Sequence, residues 1–82
     1  MFDTILALVR AIYGVDPDCV KVEVLFDVYD GNGWRSDVDV AVFIVDVEPH
    51  ERMLIASENG QFLEECVYKI TKQLLADQQR IA

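Results

Sequence analysis

Basic residues are scarce in this 82-residue chain. Seven Lys and Arg stand against fifteen Asp and Glu, for a formal net charge of -8. Direct binding of nucleic acid relies on Lys and Arg that displace counterions from phosphates, and anionic membrane surfaces ask for the same residues. The charge balance argues against both. Cysteine is nearly missing as well. Cys19 and Cys66 are the only two, far from the density of a disulfide-built secreted scaffold. Each adjoins a valine, so two reduced, buried thiols are expected. The single histidine, His50, sits between Pro49 and Glu51 in a turn. No Cys-His or Ser-His pairing is readable around it, so nucleophilic catalysis has no candidate dyad. No apolar run approaches the roughly 20 residues that span a bilayer. The run from Ile5 to Ile12 follows Asp3 rather than a basic leader, and no small-residue cleavage site comes after it. The expectation is a cytoplasmic protein with no membrane partner and no cofactor. At 82 residues the chain has room for one core, so one domain over 1–82 is expected, too short for a barrel or a complete dinucleotide-binding fold.

What is present is apolar and strongly patterned. The apolar share is 52%, which separates this chain from acidic disordered tails. Asp3 to Tyr13 reads as a helix, with Asp3 as a cap, Gly14 as a left-handed terminator, and a stripe of Ile5, Leu8, Val9 and Ile12. Val15-Asp16-Pro17-Asp18 reads as a connector, because Pro17 biases Asp16 away from helix. Val20 to Tyr29 alternates with period two, placing Val20, Val22, Val24, Phe26 and Val28 on one face. Asp30-Gly31-Asn32-Gly33 has the chemistry of a hairpin turn. Asp37 to Val47 alternates again, with Val38, Val40, Val42 and Ile44 on one face. Glu48 to Glu51 reads as a turn, and Arg52 to Ala56 as a short third strand stopped by Glu58-Asn59-Gly60, with the start of a helix as the alternative because Met and Leu suit both states. Gln61 to about Arg80 reads as the second helix, striped by Leu63, Val67, Ile70 and Leu74 and capped from Ser57 or Asn59. The predicted architecture is α+β, in the order αβββα, with a three-stranded antiparallel meander and two helices packed on one face.

The net charge is local. Ten acids lie between Asp16 and Glu51 against two bases, Lys21 and Arg35, while the rest of the chain holds five of each. The whole excess therefore belongs to the first two strands and their flanks. Periodicity places Glu23, Asp27, Asp37 and Asp39 opposite the valines, together with Leu25, Tyr29, Phe43, Val45 and Val47. A face that is acidic at one end and apolar at the other, with no segment left over to cover it, marks an association surface. Asp30 in the turn extends the acidic set, and Trp34 beside it is either a cover for the sheet edge or an exposed aromatic anchor.

Several motif resemblances touch the same residues. Asp30, Asn32, Ser36 and Asp39 resemble part of an EF-hand calcium loop with Gly33 at its sixth position, but Val28 stands where the first ligand belongs. Asp37-Val38-Asp39 resembles the paired-carboxylate strand of nucleotidyltransferases, a metal-dependent alternative, yet the Gly-Ser pair expected upstream is missing. A nuclease core of this element order wants Glu-x-Lys on the third strand, where Leu54-Ile55-Ala56 stands. A double-stranded-RNA-binding domain wants a basic start to the second helix, where Glu64 and Glu65 stand. Acidity and element order together resemble the type II-A anti-CRISPR proteins, a likeness of architecture that implies an inhibitor mimicking nucleic acid.

The functional expectation is a small non-enzymatic interaction module. Its acidic residues Glu23, Asp27, Asp30, Asp37 and Asp39, with Tyr29, Trp34, Phe43 and Val45 beside them, would dock a basic protein surface. The alternative is a homodimer that binds a small ligand or partner through the apolar part of the sheet, with Phe43, Val45 and Val47 at the interface. Small size favours self-association in either case.

Overall fold

The computed structural model describes residues 1–31, 33–45 and 51–81, and the side chains within them except at 28–31, 33–36 and 81. Helix α1 (Asp3–Tyr13) is followed by a single 3-10 turn (Pro17–Cys19), then strands β1 (Val20–Gly31), β2 (Gly33–Val45) and β3 (Arg52–Gly60), and helix α2 (Leu63–Ile81). This is the α+β, αβββα order that the patterning predicts. The sheet is antiparallel with β2 in the centre.

Local chemistry accounts for most boundaries. Gly14 ends α1 at φ 68°, and its N–H donates to the carbonyl of Arg10 at 2.9 Å, the left-handed stop that glycine makes without a Cβ clash. Asp3 is not a cap. Phe2 holds the cap position with no side-chain bond, and Asp3 is the first helical residue, where its charge still meets the positive end of the dipole. Pro17 opens the 3-10 turn, in which Cys19 N–H donates to Asp16 O at 2.9 Å.

The hairpin is tighter and longer than turn chemistry alone suggests. Gly31 pairs with Gly33 and pairing continues without a register shift to Val20 opposite Ile44. Asp30, Gly31 and Gly33 of the predicted turn therefore belong to the strands; Asn32 lies outside the described residues, as do Val47 and the predicted turn residues Glu48, Pro49 and His50. Strand β3 runs four residues past Ala56, because the polar triplet that looked like punctuation is bonded on both sides. Asn59 Nδ2 donates to Asp39 Oδ1 at 2.7 Å and to Val38 O at 3.4 Å, and Gln73 of α2 donates to Glu58. Ser57 and Asn59 consequently belong to β3 and do not cap α2. A bulge separates Val42–Ala56 from Phe43–Leu54. It inserts Ile55, so that Ile55 and Ala56 both reach the core.

The core lies between the valine face and the helices. Val38, Val40 and Val42 of β2 are buried with Ala56, with Ile5 and Val9 of α1, and with Cys66, Ile70 and Leu74 of α2. Central position decides this: β2 has a strand on each side, whereas Val20, Val22 and Val24 of β1 stay half-buried at the margin. Cys66 donates its S–H to Val38 O at 3.4 Å, and burial pushes its thiol above the ordinary range. Both cysteines are free, but Cys19 is only half-buried, because it lies in the turn at the sheet margin. On α2, Glu64 and Glu65 occupy the first turn and Arg80 the last, as the dipole favours.

Ile70 and Leu74 fill the centre of this core with no exposed surface. Ile70→Ala is expected to cost about 2–5 kcal/mol through lost burial and the cavity left behind. That is a large part of the roughly 4–12 kcal/mol typical for a chain of this size. The exposed Leu54→Ala should change stability by about 0.5 kcal/mol or less. Urea unfolding of the two variants beside the parent checks the difference.

Candidate functional site: the outer face of the sheet

With both helices on the valine face, the opposite face is uncovered among the described residues. The register lays it out in rungs across the sheet. Lys21 lies beside Phe43 and Leu54, and Glu23 beside Ala41 and Ser57. Leu25 lies beside Asp39 and Asn59, and Asp27 beside Asp37. Arg52 lies beside Val45 at one end. Of the acids predicted for this face, Glu23, Asp27, Asp37 and Asp39 are on it, in two different environments, whereas Asp30 holds a register position of the opposite, valine series.

At the Lys21 end the charge is compensated. Arg52 Nη1 donates to Glu23 Oε1 at 2.7 Å, and Lys21 Nζ lies 3.3 Å from the same oxygen. The Arg52 guanidinium also sits 4.5 Å from the centre of the Phe43 ring, a cation–π arrangement that holds it flat over the face. The hydrogen bond from Arg52, reinforced by Lys21, holds the Glu23 carboxyl below the usual carboxylate range. Glu23 thus belongs to a cation-rich corner and not to a uniform acidic face.

At the other end Asp27 stands directly opposite Asp37, with Asp39 one rung inward. Like charges facing each other across an antiparallel pair repel. No described Lys or Arg forms an ion pair with Asp27, Asp37 or Asp39. Asp39 accepts only from the neutral amide of Asn59 among the described residues. Between the two ends runs an apolar band. Leu25 is 63% and Leu54 53% exposed, while Phe43 and Val45 are half-buried. Arg52 and Leu54 escaped the sequence reading because their outward placement depends on the bulge at Ile55, which period-two counting cannot anticipate. Tyr29 and Asp30 lie in β1 and Trp34 in β2, with Tyr29 opposite Arg35 and Asp30 opposite Trp34. Their side chains lie outside the described residues.

Among the described residues no three His, Cys, Asp or Glu side chains gather as a cation site. The segment that resembles a calcium loop is paired strand from Gly33 onward. A concavity of about 730 Å³ lies elsewhere, at the sheet end, lined by Val15, Cys19, Ile44 and Met53 with Arg52 and Glu51 at hand. No described helix is long and apolar enough to cross a membrane.

Two measurements separate the ends of the face. The Glu23 pKa, followed by NMR, should rise toward 4.5 in Arg52→Ala. Because the folded value is lowered, the stability that Glu23 contributes is present above pH 4.5 and lost as pH falls through the folded pKa. Glu23→Gln should flatten that acid limb of the stability curve. At the other end, Asp37→Asn should raise the melting temperature at low salt by relieving the repulsion from Asp27. The gain should shrink at high salt, and an unchanged melting temperature at low salt would refute the repulsion.

No protein-family model, curated protein or solved structure matches this chain.

Proposed function

We propose that this protein is a non-catalytic interaction module that docks a basic protein partner on the outer face of its sheet. One observation carries the reading: the carboxylates Asp27, Asp37 and Asp39, which no described Lys or Arg pairs, lie together at one end of a face that no described element covers. A partner presenting Lys or Arg there relieves the Asp27–Asp37 repulsion as it binds, so the acidic end gains from association what it lacks alone. Leu25 and Leu54 supply apolar contact beside it, in the usual pairing of an apolar centre with a charged rim. A partner surface shaped to hold phosphates fits this charge pattern, which makes inhibition by nucleic-acid mimicry the concrete form of the proposal. The two free cysteines suit work in a reducing cytoplasm.

The test uses Asp37→Lys with Asp39→Lys, both on the central strand. Parent and variant are used as baits in native lysate of the source cell, washed at low and high salt, with circular dichroism to establish folding. The expected result is a basic protein held by the parent at low salt, released at high salt and not held by the folded variant. Identical sets retained by both baits would overturn the acidic docking surface.

A further inference from the structure

Strand β1 is an edge strand of unusual openness. It is 12 residues long and, among the described residues, pairs with β2 on one side only. Its consecutive residues Leu25 and Phe26 point to opposite faces, yet both are 63% exposed. Their partners on β2 are not: Val38 is buried and Asp39 half-buried. Exposure on both faces at one point is the mark of an edge with nothing beside it. Natural edges are usually blunted by bulges, prolines, short length or charged side chains, and of these β1 has only the charges of Lys21, Glu23, Asp27 and Asp30. The other edge, β3, carries the Ile55 bulge. Strand β1 has no register shift and no proline along its pairing with β2.

We infer that a second copy of this chain occupies the β1 edge, pairing β1 antiparallel to β1 about a two-fold axis at Val24. Charge complementarity selects both the occupant and the register. Antiparallel pairing must keep the valine faces of the two copies on the same side, so the axis passes through a residue and not between two. At Val24 it sets Lys21 opposite the partner copy's Asp27, twice by symmetry. It also sets Phe26 opposite Val22, an aromatic–β-branched pair of the favourable kind, and Leu25 opposite Glu23. An axis one residue earlier sets Glu23 against itself. One residue later it sets Glu23 against Asp27. An axis at Val22 opposes Lys21 to Glu23, but Leu25 and Phe26 then fall opposite the turn at Cys19 and Asp18, outside the strand, and the aromatic–β-branched pair is lost. Lys21 is free to make the new contact, since its present ion pair with Glu23 is exposed and such pairs are weak. The product is a six-stranded sheet with four helices on one side and the outer faces of both copies joined on the other. Closed two-fold pairing of this kind is the commonest symmetry of soluble oligomers. The dimer engages Asp27 and leaves Asp37 and Asp39 uncovered, so it shares one carboxylate with the docking surface proposed above, while Asp37→Lys with Asp39→Lys tests that surface without touching the dimer contact.

The test is sedimentation velocity on the full chain and three variants: Lys21→Asp, Asp27→Lys and the double exchange. The parent should sediment at twice its 9.3 kDa mass. Each single reversal places two like-charged pairs in the interface and should weaken the dimer about tenfold or more. The double exchange restores opposite charges and should return the affinity to within about threefold of the parent. Circular dichroism of the single variants, with the double exchange as a refolding control, separates lost association from lost folding. A parent that stays monomeric at high micromolar concentration would overturn the inference. So would a dimer indifferent to both single reversals, or a folded double exchange as weak as either single variant.

Discussion

Burial of one face of β2 is the constraint on which the other features depend. Val38, Val40 and Val42 have almost no exposed surface, and strict alternation then forces Asp37, Asp39, Ala41 and Phe43 to the other side. A slip of one residue would send three carboxylates or phenyl groups into the core and three valines into water. The helices cover the valine face because that face is apolar from Val20 to Phe26 and from Val38 to Ile44, while the other is broken by charge. No described element covers the charged face, and its chemistry follows from the same alternation that makes the core.

Two polar details adjust this plan. The Ile55 bulge turns β3 so that Ile55 and Ala56 both serve the core. The same irregularity carries Leu54 and Arg52 to the outer face, where Arg52 meets Glu23 and the Phe43 ring. At the far end of β3, Glu58 is bonded by Gln73 of α2 and Asn59 bonds to β2, so the strand outlasts its apolar residues. The outer face therefore gains a cation-rich corner at one end and keeps at the other carboxylates that no described Lys or Arg pairs. A face polarised in this way suits recognition by charge, and the unbulged β1 edge suits recognition by backbone pairing. The two surfaces meet at Asp27, on the edge strand and on the outer face at once.

The element order, the valine faces, the helix α1 with its Gly14 stop, and the grouping of Glu23, Asp27, Asp37 and Asp39 on one side were all legible in the sequence. They rest on periodicity and on local turn chemistry, which act between near neighbours. The tertiary structure alone decided that Glu23 is neutralised by Arg52, that Leu54 joins the outer face, and that β3 extends to Gly60. Each of these depends on contacts between residues 15 or more positions apart and on a bulge set by β3 packing against both β2 and α2. It also decided which valines are dry, because only strand order makes β2 central and leaves β1 at the edge with Leu25 and Phe26 in solvent. Period-two patterning reports which residues share a face. Which strand lies in the middle is a property of the whole sheet, and the burial of each residue follows from that position.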